Sequence, residues 1–209
     1  MKNFILLICL FLGGCVSGSF EYTPPNQLSK INNSKIIINN KDVVWKNTIS
    51  NLGASFFVIN NIDKSSGFIN LSFSGNPEKY IDCGHVKSIV DNLSGKRVYD
   101  FSASSENKKY ESYINGQLYA FDRGVSLEGR INIIIQEISN NETLATVNTK
   151  YIVNRDFNIF DVTGKKIESS RQSISFNTNN SDTFKSEDNK GTTCISSGLL
   201  EREILNLIE

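Results

Sequence analysis

Val125-Ser126-Leu127-Glu128-Gly129-Arg130-Ile131-Asn132-Ile133-Ile134-Ile135-Gln136 alternates apolar and polar residues, with the two-residue period of a strand that has one buried and one solvated face. Ala145, Val147, Thr149, Tyr151 and Val153 repeat the alternation after a break at Ser139, Asn140 and Asn141, where turn formers cluster. The two runs predict a long antiparallel hairpin. Leu118 to Phe121 before it, and Phe157 to Val162 and Ile174 to Phe176 after it, extend the sheet, with Thr163-Gly164-Lys165 supplying a turn.

Toward the N-terminus the period changes. From Lys41, Trp45, Ile49 and Leu52 fall at i, i+4 and i+7, with Val44 widening the stripe. Asn40 is placed to cap this helix, Asp42 sits in its positive first turn, and Gly53 ends it. Phe56, Val58 and Ile62 predict a strand, Asp63 to Gly67 a turn, and Ile69, Leu71 and Phe73 the hairpin partner. Tyr80 to Gly84 reads as a short strand, and Val86, Ile89, Val90 and Leu93 as a short helix. Residues 178–192 are polar and read as a mobile loop. After Cys194, Ser196 or Ser197 caps a second helix with Leu200, Ile204, Leu207 and Ile208 on one stripe. About 12 residues make a marginal helix alone, so it must lean on the buried face of the sheet. The expectation is an α+β domain over residues 35–209, a curved antiparallel sheet with the N-terminal and C-terminal helices on one face. No internal repeat is visible.

The first residues are Met1, Lys2 and Asn3, followed by an apolar run from Phe4 to Leu12 and then Gly13, Gly14 and Cys15. The run is about half the roughly 20 residues that a membrane span needs, so residues 1–14 read as a cleaved signal peptide. Leu12-Gly13-Gly14-Cys15 resembles the lipobox of bacterial lipoproteins. The resemblance implies cleavage before Cys15, acylation of that cysteine and a stable membrane anchor. Val16, in place of aspartate, resembles the pattern sorted to the outer membrane, facing the periplasm. Residues 15–34, with Ser17, Gly18, Ser19, Pro24 and Pro25, then read as the lipidated cysteine and a flexible tether with a reach of about 25 Å.

The Trp45 helix, Phe56 to Ile62, Gly67-Phe68-Ile69 and the later sheet with its closing helix resemble the helix-grip arrangement, and lipoproteins of the outer-membrane assembly machinery of the NlpB (BamC) type. That likeness implies a non-enzymatic periplasmic accessory subunit. No second copy of the domain follows, unlike a full-length relative. With Cys9 in the signal peptide and Cys15 acylated, Cys83 and Cys194 remain as a pair for a disulfide. Two free buried thiols, or a metal or catalytic role, are the alternatives.

Lysines and arginines balance aspartates and glutamates, and the formal charge is zero. Removing Lys2 changes little, so no strongly basic surface points to nucleic acid. His85 is the only histidine, which excludes a zinc site of two or three histidines. Cys83 and His85 lie at i and i+2 and share a strand face, but Cys83 has its better use with Cys194. No G-x-S-x-G, H-E-x-x-H, P-loop or G-x-G-x-x-G is present. Asp161-Val162-Thr163-Gly164 breaks the order of an aspartic-protease loop and reads as a turn. Carboxylate pairs for glycoside hydrolysis leave no sequence trace. Tyr110, Tyr113, Tyr119, Phe121, Tyr151, Phe157 and Phe160 surround the sheet, lining either a ligand groove or an ordinary core. No catalytic residue, metal or cofactor is indicated. The expected role is an interaction module of an envelope protein complex serving outer-membrane assembly or secretion. A carrier of a small apolar ligand is the alternative, and an envelope hydrolase a more remote one.

Overall fold

The hairpin is present and longer than the alternation alone predicts. In a computed structural model that describes residues 17–26, 30–185 and 191–209, strand β9 (Gln117–Ser139) pairs antiparallel from Ala120 onward with the whole of β10 (Glu142–Phe160). A ribbon of this length changes neighbours along its edges. On β9, the first part takes β8 (Asn107–Ile114) and the second takes β4 (Phe68–Gly75), which pairs in turn with β3 (Val58–Asp63). On β10, β2 (Ser34–Ile37) pairs at Thr143 to Thr146 and β11 (Lys166–Asn177) from Lys150 onward. Together these make a seven-stranded antiparallel sheet.

One half of this sheet is covered by helices. Helix α1 (Lys41–Gly53) is capped by the Asn40 side chain, which accepts from the Val43 N–H at 3.0 Å. It buries Val44, Trp45 and Leu52 in one core with Ile69, Leu71, Ile131, Ile133, Ile135, Ala145 and Val147. Helix α3 (Leu199–Asn206) adds Leu200, Ile204 and Leu205 and packs against β10. Its last carbonyls would be orphaned, but Lys35 Nζ donates to Leu205 and Ile208 and the Asn51 amide donates to Leu207. Gly129 is needed here, since a Cβ would stand 2.5 Å from the Phe73 ring. A single helical turn, α2 (Pro77–Tyr80), leads to the two-residue strand β5 (Ile81–Asp82).

The other half is covered by strands. β1 (Ser17–Thr23), β6 (His85–Asn92) and β7 (Gly95–Ser102) form a three-stranded sheet over β8. A second small sheet orders β12 (Ser181–Phe184), β13 (Thr192–Ser196) and β5. Cys83 and Cys194 form a disulfide, with Cα atoms 4.0 Å apart and a sequence separation of 111.

Several expectations are corrected. The helix over Val86 to Leu93 is strand β6, because Val86 and Val90, four apart, satisfy a two-residue period as well as a helical one, and Ser88 between them is also buried. Ser17 to Thr23 is not a free tether but an edge strand, held by backbone pairing to β6 that needs no apolar run. Ser34, placed at the end of the tether, opens β2. Ser181 to Phe184 and Thr192, placed in a polar loop, belong to β12 and β13. In the strand expected over Tyr80 to Gly84, Tyr80 closes α2 and only Ile81 and Asp82 are extended. Helix α3 takes Gly198 as N-cap, at φ +71°, because Ser196 Oγ instead accepts from the Gly198 N–H at 2.9 Å. The signal peptide and Cys15 lie outside the described residues.

Candidate functional site

The register of β9 on β10 sets Arg123 opposite Phe157 and Val125 opposite Arg155. Both arginines therefore project from the face that carries Phe121, Val125 and Tyr151 into the strand-covered half. Arg123 is 4% exposed. Its Nη2 donates to the Ala103 carbonyl, while its Nη1 is buried with no hydrogen-bond partner. Arg155 is half-buried and has neutral partners. Its Nη1 donates to Thr192 Oγ1 at 3.1 Å and its Nη2 to Gln172 Oε1 at 2.7 Å. Its guanidinium lies 4.4 Å from the centre of the Phe184 ring and 5.9 Å from that of Phe157, within cation–π range. Among the described residues, no carboxylate forms an ion pair with either arginine.

Two tyrosines complete the cluster. The Tyr22 hydroxyl donates to the Cys83 carbonyl and accepts from the Thr193 N–H, each at 3.0 Å, so it bridges the chain on both sides of the disulfide. The Tyr110 ring stacks on Phe121 with centroids 4.8 Å apart and sits edge-on to Tyr99 at 6.5 Å. Burial pushes the Tyr110 hydroxyl up to about 12, against the pull of both guanidinium charges. Burial first, and then the positive charge of Arg155, press Arg123 down to about 10. It remains a cation at neutral pH. Side chains from β1, β8, β9, β10, β11, β12 and β13 meet in this cluster.

The aromatic residues singled out in the sequence divide between the two readings. Tyr110, Phe121 and Phe160 line a cleft of about 350 Å³ together with Tyr99 and Glu111. Tyr151 lies in the helix-covered half, fully buried, where its hydroxyl donates to the Glu201 carboxylate, 2.8 and 2.9 Å from its two oxygens, and accepts from Ser196 Oγ at 2.9 Å. That cluster fastens α3 to the sheet. Cys83 is consumed by the disulfide, and His85 Nε2 pairs with Asp100 at the surface, so no cysteine–histidine pair is assembled. Asp161 closes a hairpin turn. No group of three His, Cys, Asp or Glu among the described residues is placed to hold a metal ion, and no described helix is long and apolar enough to cross a membrane.

Arg123 and Arg155 went unremarked in the sequence, although a signal was present. Each falls on the inward phase of its strand, Arg123 between Phe121 and Val125 and Arg155 between Val153 and Phe157. Charged residues seldom occupy that phase without a partner. Fold and site together define an α+β protein, mostly antiparallel sheet, with a disulfide beside a buried arginine pair. Comparison with protein-family models, with curated proteins and with solved structures finds no match to this chain.

Proposed function

We propose that this chain is a lipid-tethered protein of the bacterial envelope, anchored through Cys15 in the outer membrane and facing the periplasm, where it serves as a non-enzymatic module of an outer-membrane assembly or secretion complex. The observation that carries the reading is the Cys83–Cys194 disulfide, which persists in oxidising compartments and is rare in the cytosol. Leu12-Gly13-Gly14-Cys15 supplies the anchor by its likeness to a lipobox. In this reading α1 and α3 close over one face of the curved sheet in the helix-grip manner, leaving β3 as an open edge with Val58 and Ile62 exposed. Such an edge offers unpaired backbone groups to a partner strand, and a lipid anchor raises local concentration enough for modest affinity to suffice.

The test is fractionation of cells expressing the wild type or Cys15→Ser, with crosslinking of the wild type in intact cells. The expected result is a membrane-bound wild type crosslinked to an envelope protein, and release of the variant to the soluble fraction. Equal membrane retention of both would remove the anchor, and the absence of any crosslinked protein would remove the module. One observation favours a second reading, a carrier of a small ligand. The cleft walled by Tyr99, Tyr110, Phe121 and Phe160 adjoins the arginine pair through Tyr110 and Phe121.

A further inference from the structure

We propose that Arg123 and Arg155 form a buried binding site for an oxyanion, a carboxylate or phosphate group, held by the two guanidiniums beside Tyr22 and Tyr110. The inference starts from two other arginines of this chain, which are paired with carboxylates. Arg97 donates from Nε to Glu111 at 2.6 Å, and Arg171 makes two bonds to the Asp156 carboxylate at 2.7 and 3.1 Å. Water would have screened Arg171 in any case, since it is 76% exposed, whereas Arg97, at 30%, relies on its carboxylate. Among the described residues, Arg123, at 4%, has no carboxylate partner, and its Nη1 has no hydrogen-bond acceptor. A buried guanidinium without a counter-charge carries a heavy desolvation penalty, and it does not escape by losing its proton. Two on one face add mutual repulsion. The neighbouring acids are otherwise engaged: Asp156 with Arg171, and Asp82 with the Gly84 N–H at 2.7 Å.

An anion resolves each of these features at once. Guanidinium forks match carboxylate and phosphate oxygens. The Nη1 of Arg123 gains its acceptor, and Arg155 is already oriented by Thr192, Gln172 and the Phe184 ring. Around the charges the surface is aromatic, from Phe157 and Phe184 to Tyr110 and Phe121. The same oxyanion chemistry belongs to a free small anion and to the head group of an amphiphile whose chain would lie in the adjoining cleft. The site deepens the carrier reading, and rests on it only for the apolar part of the ligand.

The experiment measures thermal unfolding and calorimetric binding of the purified full-length chain with inorganic phosphate, acetate or decanoate, against chloride at equal ionic strength. Wild type is expected to melt higher with an oxyanion, and Arg123→Met and Arg155→Met to bind about tenfold more weakly or worse, as loss of charge-assisted hydrogen bonds implies. Arg202→Met, on the exposed side of α3, should respond as wild type does. An intact disulfide by mass and an unchanged far-ultraviolet spectrum establish that each variant is folded, and Arg155→Lys, with charge kept and fork lost, serves where a methionine variant fails to fold. An oxyanion response that is missing in wild type, or equal in wild type and Arg123→Met, overturns the site. Phosphate or acetate binding with no gain from the decanoate chain upholds the site and removes the carrier. Decanoate binding more tightly than acetate, and losing that affinity in Arg123→Met, upholds both.

Discussion

The two halves of the β9–β10 ribbon bury charged groups in opposite ways. Under the helices, Glu201 is wholly buried, but the Tyr151 hydroxyl donates to it, Ser196 stands 3.4 Å from Oε2, and its place in the first turn of α3 sets it near N–H groups that favour negative charge. Under the strands, Arg123 is almost as deeply buried, and its donors outnumber their acceptors. A satisfied network of this kind locks a helix in place, whereas unspent donors reserve capacity for something outside the chain. The contrast separates a half built to pack from a half built to bind.

The largest expected effect belongs to the covalent link through the binding half. Replacing Cys83 and Cys194 by alanine releases a loop of 111 residues, for which the chain-entropy relation gives a loss of about 4.7 kcal/mol. Urea denaturation of the double variant checks the value. The Tyr22 anchor on Cys83 and Thr193 should loosen with it, so the oxyanion response should weaken more than the packing of α3 does. If both halves lost structure together, the division between them would fail.

Next comes the fastener of the packing half. Glu201→Ala leaves the buried Tyr151 hydroxyl short of an acceptor, at a cost of about 3 kcal/mol, while Glu201→Gln keeps an acceptor and should cost about 1 kcal/mol. Arg123→Met behaves in the opposite sense. Without added anion it is expected to stabilise the protein by about 1 kcal/mol or more, since an uncompensated buried charge gives way to an apolar side chain of similar length. Denaturant midpoints of the three variants in chloride sharpen the comparison: a loss for Arg123→Met would show that its charge is already neutralised within the chain.

What could be read in advance follows the range of the physics. The β9–β10 hairpin and α1 were legible because their signals are local, a two-residue alternation in one and a 3.6-residue stripe with Asn40 at its head in the other. The Cys83–Cys194 pair was legible by elimination, though not the tyrosine that spans it. β6 was misread because Val86 and Val90 fit two periods at once. β1 left no trace, since its partner lies more than 60 residues away and its pairing is carried by backbone groups. The arginine cluster collects side chains from seven strands, so only the phase of each arginine on its strand was available from sequence. Glu201, 50 residues from Tyr151, gave no warning of its burial.

A turn in each half yields the smallest effects and the closest like-for-like comparison. Asp63 accepts from the Ser65 N–H and hydroxyl at 2.9 and 2.6 Å, and from the Ser66 hydroxyl at 2.8 Å, in the β3–β4 turn. Asp161 accepts from the Thr163 N–H and hydroxyl at 2.8 and 2.6 Å, and from the Lys165 N–H at 3.0 Å, in the β10–β11 turn. Hydroxyl donors, first among the causes, hold Asp63 down at about 2 from the ordinary 3.8, and hold Asp161 below its ordinary value as well. A carboxylate with a lowered folded pKa contributes stability that is present above the unfolded pKa and is lost as pH falls through the folded one. For Asp63 that window runs from about 4 down to about 2. Asp63→Asn should flatten the acid limb of the stability curve there without moving the neutral-pH midpoint much, and Asp161→Asn should do the same more weakly. Both carboxylates are only partly exposed but act within their own turns, so neither variant should alter the oxyanion response. A change in that response with Asp161→Asn but not with Asp63→Asn would tie the β10–β11 turn to the binding half and enlarge the site.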